Sequence, residues 1–434
     1  MSVGALGVLG VVALLAAIFA RLPIGLALAT VGFLGYAAAD GWPNALSMIG
    51  NVPFDLARAY SLSVVPLFIL MGAVASRAAM SRELFDAANA IFSGFRGALA
   101  NATIGACAAF GAICGSSIAT AATFSRVSIP EMRRYGYDAG LAGGAVAAAG
   151  TLGILIPPSV MLAIYSIVAE ESLARLFAAA LIPGLILAAL YVVTVSIIAR
   201  VRPNLMPRAP SMPLPERLRA ARGLWKLVVL FFLAVVGIYL GWFSPTEAAG
   251  VSAFAAIVIA FATRAMDWRG LVDALVETVY TTAMLFFIVI GAFIFSRFIV
   301  LTQFPAALAS SVQAWGLSPA MIMIAVMALY FLLGTFLEEV STILITVPVV
   351  LPLVTGLGYD GVWFGIFVTV MATIGLVSPP TGLTVFVIQA QNPDIPVTRI
   401  YRGTLPFIAA DFVLVALLIA APGIVAWLPA ALKM

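Results

Sequence analysis

The chain has 434 residues, of which 64% are hydrophobic and only 9% are charged, with a formal net charge of +4. This composition is typical of polytopic membrane proteins, and so small and scattered a charge argues against nucleic-acid binding. The chain contains no histidine, which excludes histidine-based catalysis, and it has no P-loop lysine motif for ATP hydrolysis. We therefore predict a membrane protein that is not an enzyme and carries no cofactor.

Apolar runs long enough to cross a bilayer recur along the chain. We interpret them as helices, because only helices and closed barrels span lipid and no ten-residue alternating pattern indicates a barrel. Their predicted bounds are 1–20, 22–39, 59–76, 175–200, 227–246, 278–296 and 412–432. By this division Asp411 lies at the end of the last span, and we expect its side chain at the membrane interface.

The first half also contains two interrupted apolar segments. Residues 97–126 are broken near Gly115-Ser116-Ser117, which favours a re-entrant hairpin of two half-length helices. Residues 138–170 contain Pro157-Pro158, and a double proline removes two backbone donors and clashes with the preceding turn, so a helix must break there. At membrane depth, such bare backbone groups are tolerated only where protein covers them or where they line a wet cavity.

The second half repeats this pattern. Four matches recur in order at an offset of 219 to 222 residues, which indicates an internal duplication. They pair Phe68–Ala73 with Phe287–Ala292, Ser76–Arg77 with Ser296–Arg297, Gly136–Asp138 with Gly358–Asp360, and Thr151–Pro158 with Thr373–Pro380. The predicted units are a first repeat at 1–200, a cytoplasmic connecting loop at 201–226 and a second repeat at 227–434, with a second hairpin near 318–352 and a second broken helix near 361–393.

The charges of the paired loops predict that the repeats are inverted. The loop before the first break carries three arginines, whereas its counterpart at 355–361 carries only Asp360. After the breaks the bias reverses, with two glutamates in the first half and two arginines in the second. Because positive loops favour the cytoplasm, equivalent loops are expected on opposite sides, with the N-terminus in the periplasm.

The interruptions supply the chemistry of a small-ion and anion site. Hydroxyls and freed carbonyls suit a hard cation such as Na⁺, and half-helix N-termini favour an anion such as a carboxylate. The predicted Na⁺ ligands are Gly115, Ser116, Thr151, Gly153 and Pro157 in the first half, and Gly334, Thr335, Thr373, Gly375, Ser378 and Pro379 in the second. The predicted substrate-binding residues are Ser116, Ser117, Thr120, Ser159, Glu338 and Thr381.

Each of these residues also has a structural interpretation. Small residues in membrane helices commonly serve close helix packing. Glu338 is either an intramembrane functional carboxylate or an interfacial acid at the mouth of the second hairpin.

These motifs resemble the large membrane subunit of tripartite ATP-independent periplasmic (TRAP) transporters, the DctM-like permeases, over essentially the whole chain. The segments that carry the resemblance are Phe110–Thr120, Gly153–Ser159, Phe243–Ala249 and Gly375–Gly382. One departure is Glu338, where the family usually carries aspartate.

The resemblance implies a subunit of the bacterial inner membrane that imports a C4-dicarboxylate, a sugar acid or a similar organic acid down a Na⁺ gradient. It implies two partners, a four-helix DctQ-like small membrane subunit and a DctP-like periplasmic substrate-binding protein. The implied fold is an all-α, inverted-repeat, elevator-type transporter with two re-entrant hairpins and two broken helices. An autonomous Na⁺- or H⁺-coupled carboxylate transporter of the same architecture is the alternative, and an intramembrane enzyme or a purely structural component fits the motifs less well.

Overall fold

A computed structural model describes residues 3–208, 212–314 and 316–434. Within these residues the protein is all-α, with one isolated β-bridge between Arg96 and Arg208. The helices before the connection are α1 (Val3–Phe19), α2 (Ile24–Asp40), α3 (Trp42–Arg58), α4 (Val64–Arg77), α5 (Met80–Phe92), α6 (Ala98–Cys114), α7 (Ser117–Arg134), α8 (Ala139–Leu155), α9 (Val160–Val168) and α10 (Leu173–Val201).

The remaining helices lie in the connection and the second half. They are α11 (Leu214–Ala221), α12 (Trp225–Phe231), α13 (Gly237–Tyr239), α14 (Pro245–Ala262), α15 (Trp268–Leu301), α16 (Phe304–Ala314), α17 (Pro319–Gly334), α18 (Glu339–Gly356), α19 (Gly361–Val377), α20 (Leu383–Gln391), α21 (Val397–Ala420) and α22 (Gly423–Ala431). A π-helical stretch, Phe232–Val236, joins α12 to α13.

Seven helical segments of the described chain are long and apolar enough to cross a membrane, or eight if α8 and α9, bent by 45° at their break, form one span. The all-α polytopic prediction is therefore confirmed. One predicted span was wrong, because the last runs from Val397 to Ala420 instead of 412–432, and one span, α14, was missed. Both errors arose because the charge-free criterion ended a span at a carboxylate, Asp411 in α21 and Glu247 in α14.

Long helices form a packed framework beside the interrupted ones. Helix α2 runs along the 34-residue α15, and α4 packs against both α14 and α15. The α2–α15 contact is close because Gly32 has no side chain: a Cβ there would lie 2.6 Å from the Phe295 Cα. Small residues of this kind allow membrane helices to approach backbone to backbone.

The interrupted helices of the two halves interlock. Helices α6 and α7 form one hairpin and α17 and α18 the other, while α8–α9 and α19–α20 are the broken pairs. The short half α9 packs on α18 of the other half, and α20 packs on α7. Asn392, just after α20, donates a hydrogen bond of 2.8 Å to the Ser125 hydroxyl on α7. Elements from both halves thus pack around each broken helix.

The two broken helices run in opposite directions. Arg133, before the first break, pairs with Asp394, after the second, at 2.6 Å. Asp360, before the second break, pairs with Arg175, after the first, at 3.6 Å. Burial raises the pKa of the nearby Glu171 carboxyl, and the Asp360 charge adds to this rise. The start of each broken helix therefore lies beside the end of the other, as expected of an inverted repeat.

Two ion pairs outside the breaks also join the two halves, and the repeat relates one pair to the other. Arg77 of the first half pairs with Glu277 of the second at 2.7 Å, and Arg297 of the second half approaches Asp55 of the first at 3.7 Å. The two arginines are 220 residues apart and the two acids 222, which matches the offset of the sequence repeat. Each half thus supplies the arginine of one pair and the carboxylate of the other.

The connecting segment docks onto the first half. Lys226, which is 7% exposed, binds Glu83 of α5 at 2.7 Å, and Arg217 of α11 donates to the Ser93 carbonyl at 3.3 Å. The basic side chains of the connecting segment therefore hold it against α5 and the residue that follows this helix.

Candidate functional site

The tip of the first hairpin is a glycine turn followed by a capped helix. Gly115 ends α6 in the left-handed region (φ 62°), a conformation that favours glycine. The Ser116 hydroxyl then accepts from the Ala119 backbone amide at 3.4 Å and caps α7. The Thr120 hydroxyl donates to the Ser116 carbonyl at 2.7 Å. The N-terminus of α7 is thus fixed at the tip.

The second hairpin tip has a carboxylate in place of the serine, and this side chain makes no capping hydrogen bond to the start of α18. Glu338 precedes α18, and the Thr342 hydroxyl donates to its carbonyl at 3.0 Å. The Ser341 hydroxyl donates to the Glu338 side chain at 3.3 Å. Ser116 and Glu338 are 222 residues apart, so they occupy equivalent places in the repeat.

Glycines bring the first break onto the first hairpin. A Cβ at Gly111 would lie 2.9 Å from the Gly153 amide nitrogen, and one at Gly153 would lie 3.1 Å from the Thr120 hydroxyl and 3.2 Å from the Ser116 carbonyl oxygen. A Cβ at Gly115 would lie 3.0 Å from the Pro158 carbonyl. The Ser116 carbonyl and the Thr120 hydroxyl therefore lie together beside Gly153, and the Pro158 carbonyl lies beside Gly115.

The second break meets the second hairpin through an equivalent pair of glycines. A Cβ at Gly375 would lie 2.6 Å from the Gly334 carbonyl carbon, and the Thr381 hydroxyl donates to the Thr335 carbonyl. The Ser378 hydroxyl is buried without a hydrogen-bond partner among the described residues. Residues 334, 335, 375, 378 and 381 thus form one cluster around the second break, in which a buried hydroxyl stays unsatisfied.

The two breaks differ in exposure. Both proline pairs are joined by cis peptide bonds, but Pro157 and Pro158 are buried whereas Pro379 and Pro380 are exposed. Ser159 caps α9 and donates to the Ile154 carbonyl at 2.5 Å. Its hydroxyl therefore hydrogen-bonds to both sides of the first break.

A cavity of about 360 Å³ lies between the two hairpin tips. Its walls come from both tips, from the start of α9 and from α4 and α15. The main lining residues are Gly72, Ala73, Gly115, Ser116, Ala119, Met161, Glu277, Thr281, Glu338 and Glu339. Among the predicted substrate residues, Ser116 and Glu338 line this cavity, whereas Ser117, Thr120, Ser159 and Thr381 do not.

The cavity combines two helix N-termini with three carboxylates. The N-terminal turns of α7 and α18 both border it, and helix N-termini favour anions. Glu277, Glu338 and Glu339 oppose an anion, although Arg77 pairs with Glu277. Within the described chain no cluster of three His, Cys, Asp or Glu residues is arranged to hold a metal ion. A cation beside the cavity would therefore need hydroxyl and carbonyl ligands.

Two predicted Na⁺ ligands face away from the hairpins. Residues two apart on a helix do not share a face, and Gly153 and Gly375 are the ones that face the hairpins. The Thr151 hydroxyl donates to the Ala148 carbonyl and lies beside Tyr191 of α10. The Thr373 hydroxyl donates to a carbonyl one turn earlier in its own helix. The structure thus separates these threonines from the hairpin tips.

The structure also corrects the position of Asp411. Its side chain is fully buried near the middle of α21, not at the interface, and one carboxylate oxygen accepts a hydrogen bond of 2.6 Å from the Tyr191 hydroxyl. Sequence analysis missed Tyr191, because no local pattern links it to a residue 220 positions later.

Comparison with known proteins identifies the family. Residues 11–424 match the model of the DctM component of tripartite ATP-independent periplasmic transporters. The chain belongs to this family. The C4-dicarboxylate TRAP transporter large permease DctM of Pseudomonas aeruginosa is 36% identical over 389 residues, covering 89% of this chain and 90% of that protein. The sialic acid TRAP transporter large permease SiaM of Vibrio cholerae is 30% identical over 417 residues, covering 95% and 96%.

A solved structure shares the fold of this DctM-family chain. The YdaH transporter of Alcanivorax borkumensis superposes with a TM-score of 0.61 at 15% sequence identity, covering 89% of each chain. Family and fold together establish a large permease subunit of a TRAP-type transporter, and the multi-pass membrane prediction agrees with both.

Proposed function

We propose that this subunit imports an organic acid through the cavity between the two hairpin tips, driven by Na⁺ bound where each hairpin meets its broken helix. The observation that carries the proposal is the convergence of the N-termini of α7 and α18 on one cavity. Its volume of about 360 Å³ lies within the range of about 300–1,000 Å³ common for small-molecule sites.

The relatives support a carboxylate as cargo. The Pseudomonas protein is named for C4-dicarboxylates and the Vibrio protein for sialic acid, and both substrates are carboxylic acids. We propose that the carboxylate of the cargo lies near Ser116 at the start of α7. Glu338, at the equivalent place on α18, contacts the polar remainder of the cargo. The choice of acid rests with a periplasmic substrate-binding protein.

The backbone geometry supports two proposed cation sites. The first lies near the Ser116 carbonyl, the Thr120 hydroxyl and Gly153, and the second near the Gly334 carbonyl and Gly375. Freed carbonyls and hydroxyls can hold Na⁺ without an ionised side chain as a ligand, as in other transporters with discontinuous helices. Each bound cation would offset the acidic lining of the cavity and so favour the anion, which couples cargo binding to Na⁺ binding.

The assembly proposed for this subunit is tripartite. A four-helix small subunit binds it in the bacterial inner membrane, and the N-terminus lies in the periplasm. The hairpins and broken helices move as one transport unit against α2, α4, α14 and α15. A binding protein delivers the acid from the periplasmic side.

The test is uptake by liposomes that contain this chain with its small subunit. We expect uptake only when the cognate binding protein and an inward Na⁺ gradient are both present. A proton gradient of equal size should not replace Na⁺. Equal uptake without the binding protein would instead favour an autonomous transporter, and uptake that ignores Na⁺ would refute the coupling.

A further inference from the structure

A second polar centre lies in the bundle, apart from the cavity. Asp411 on α21 is 0% exposed, and so is Tyr191 on α10. The Tyr191 hydroxyl donates to Asp411 Oδ1 at 2.6 Å, whereas Asp411 Oδ2 is buried with no hydrogen-bond partner among the described residues. The Phe407 ring packs edge-on against Tyr191, with ring centroids 5.4 Å apart. One carboxylate oxygen thus faces a site that offers it no donor.

The neighbouring helices supply no charge to balance this carboxyl. Helix α21 packs against α8, α10, α19, α20 and α22, and α8, α19, α20 and α22 contain no ionisable residue. Helix α17 also contacts α21 through Phe331 and Phe412, and its one ionisable residue, Tyr330, is hydrogen-bonded to Thr346. Besides the pair itself, the ionisable residues of α10 and α21 are Arg175, Arg200, Arg399, Tyr401 and Arg402.

The nearest of these in sequence are nine residues away. Arg402 precedes Asp411 by nine residues on α21, and Arg200 follows Tyr191 by nine on α10. Nine residues span about 13 Å of helix. Two of the others are engaged elsewhere, Arg175 with Asp360 and Arg399 with Asp138. Among the residues that the structure describes, Asp411 therefore has no cationic partner.

An ionised carboxylate at this position would be a bare charge near the middle of a membrane-spanning helix. Such a charge is expensive unless it is paired and fully hydrogen-bonded. The neutral acid avoids this cost, because its carbonyl oxygen accepts the Tyr191 hydrogen bond while its own hydroxyl carries the proton at Oδ2. We propose that Asp411 is a proton-binding site and that the transporter functions with this proton bound.

The location of the pair gives the proton a role. Tyr191 lies in the first half of the chain and Asp411 in the second. Their hydrogen bond joins α10 to α21, and Thr151 of the first broken helix lies beside it. While the proton is bound, this contact between the two halves is uncharged. Loss of the proton at alkaline pH leaves an unpaired negative charge on Asp411.

Infrared spectroscopy of the purified chain with its small subunit tests the site without requiring transport. We expect the carbonyl stretch of a protonated carboxylic acid at neutral pH, missing from Asp411→Asn and lost from the wild type at alkaline pH. Asn is the matched variant because it keeps the size and the hydrogen-bond acceptor of the neutral acid. Tyr191→Phe should retain the band but shift its frequency, because the carbonyl loses its donor.

Uptake provides the second measurement. We expect wild-type initial uptake to fall by at least about threefold between neutral and alkaline pH as the proton is lost, and Asp411→Asn to stay active without this fall. A band unchanged in both variants would overturn the proposal, because the protonated group would lie elsewhere. An assembled Asp411→Asn that loses Na⁺-dependent uptake would also overturn it, because the charged form would then be required.

Discussion

Replacing Gly375 by alanine is expected to reduce Na⁺-driven uptake at least about tenfold, which corresponds to about 1.4 kcal/mol. The added Cβ would lie 2.6 Å from the Gly334 carbonyl carbon and 2.7 Å from its Cα. Both atoms belong to the backbone, so α17 and α19 must separate. Separation moves the Gly334 carbonyl away from the second break and disrupts the proposed cation site. Initial uptake as a function of Na⁺ concentration measures this loss.

Gly250→Ala is the matched control for this change. Gly250 also lies in a membrane-spanning helix, α14, but a Cβ there would have only an ordinary contact, 3.8 Å from Leu67. We expect normal uptake from this variant. Gly153→Ala should have a smaller effect in the same direction, since its Cβ would lie 3.1 Å from the Thr120 hydroxyl, a contact that a small shift relieves. Unchanged half-saturating Na⁺ and maximal uptake in both test variants would show that these crossings serve packing alone.

Filling the cavity is expected to abolish uptake. Ala119 lies on the first turn of α7 and lines the space between the hairpin tips. In Ala119→Trp the indole would occupy much of a cavity of about 360 Å³, so the cargo could not enter. We expect uptake to fall at least about a hundredfold, or about 2.7 kcal/mol, while binding of the small subunit is retained.

Val258→Trp is the control for added bulk. Val258 lies on α14 and is 47% exposed, on a surface where an indole meets no protein core. This variant should transport normally. Equal uptake by Ala119→Trp and wild type would place the cargo route outside this cavity.

The breaks and hairpins were accessible to sequence reasoning because their causes are local. A proline pair ends α8 and another ends α19 wherever those helices lie in the fold, since the missing donors and the ring clash act within a single turn. Gly115 similarly marks the tip between α6 and α7 through its left-handed backbone. Their pairing in register also revealed the duplication, because it required only the spacing of short motifs.

The orientation of side chains around the site could not be predicted in this way. Whether Thr151 or Gly153 faces the hairpin depends on the rotation of α8 against α6, which is set by the Gly111–Gly153 contact. The burial of Asp411 depends on a tyrosine 220 residues earlier. Both features depend on tertiary packing. A criterion that ends an apolar run at every carboxylate always places Asp411 at the end of a span, and so cannot predict its burial.

The most direct test of the proposed transport site is a structure of this subunit with its small partner, determined in Na⁺ with the cognate acid bound. We predict the carboxylate of the acid between the tips at Ser116 and Glu338. We also predict one cation beside Gly153 and another beside Gly375, each within reach of the carbonyls freed there. An acid bound outside the cavity, or an acid bound between the tips with no cation at either glycine crossing, would contradict the account.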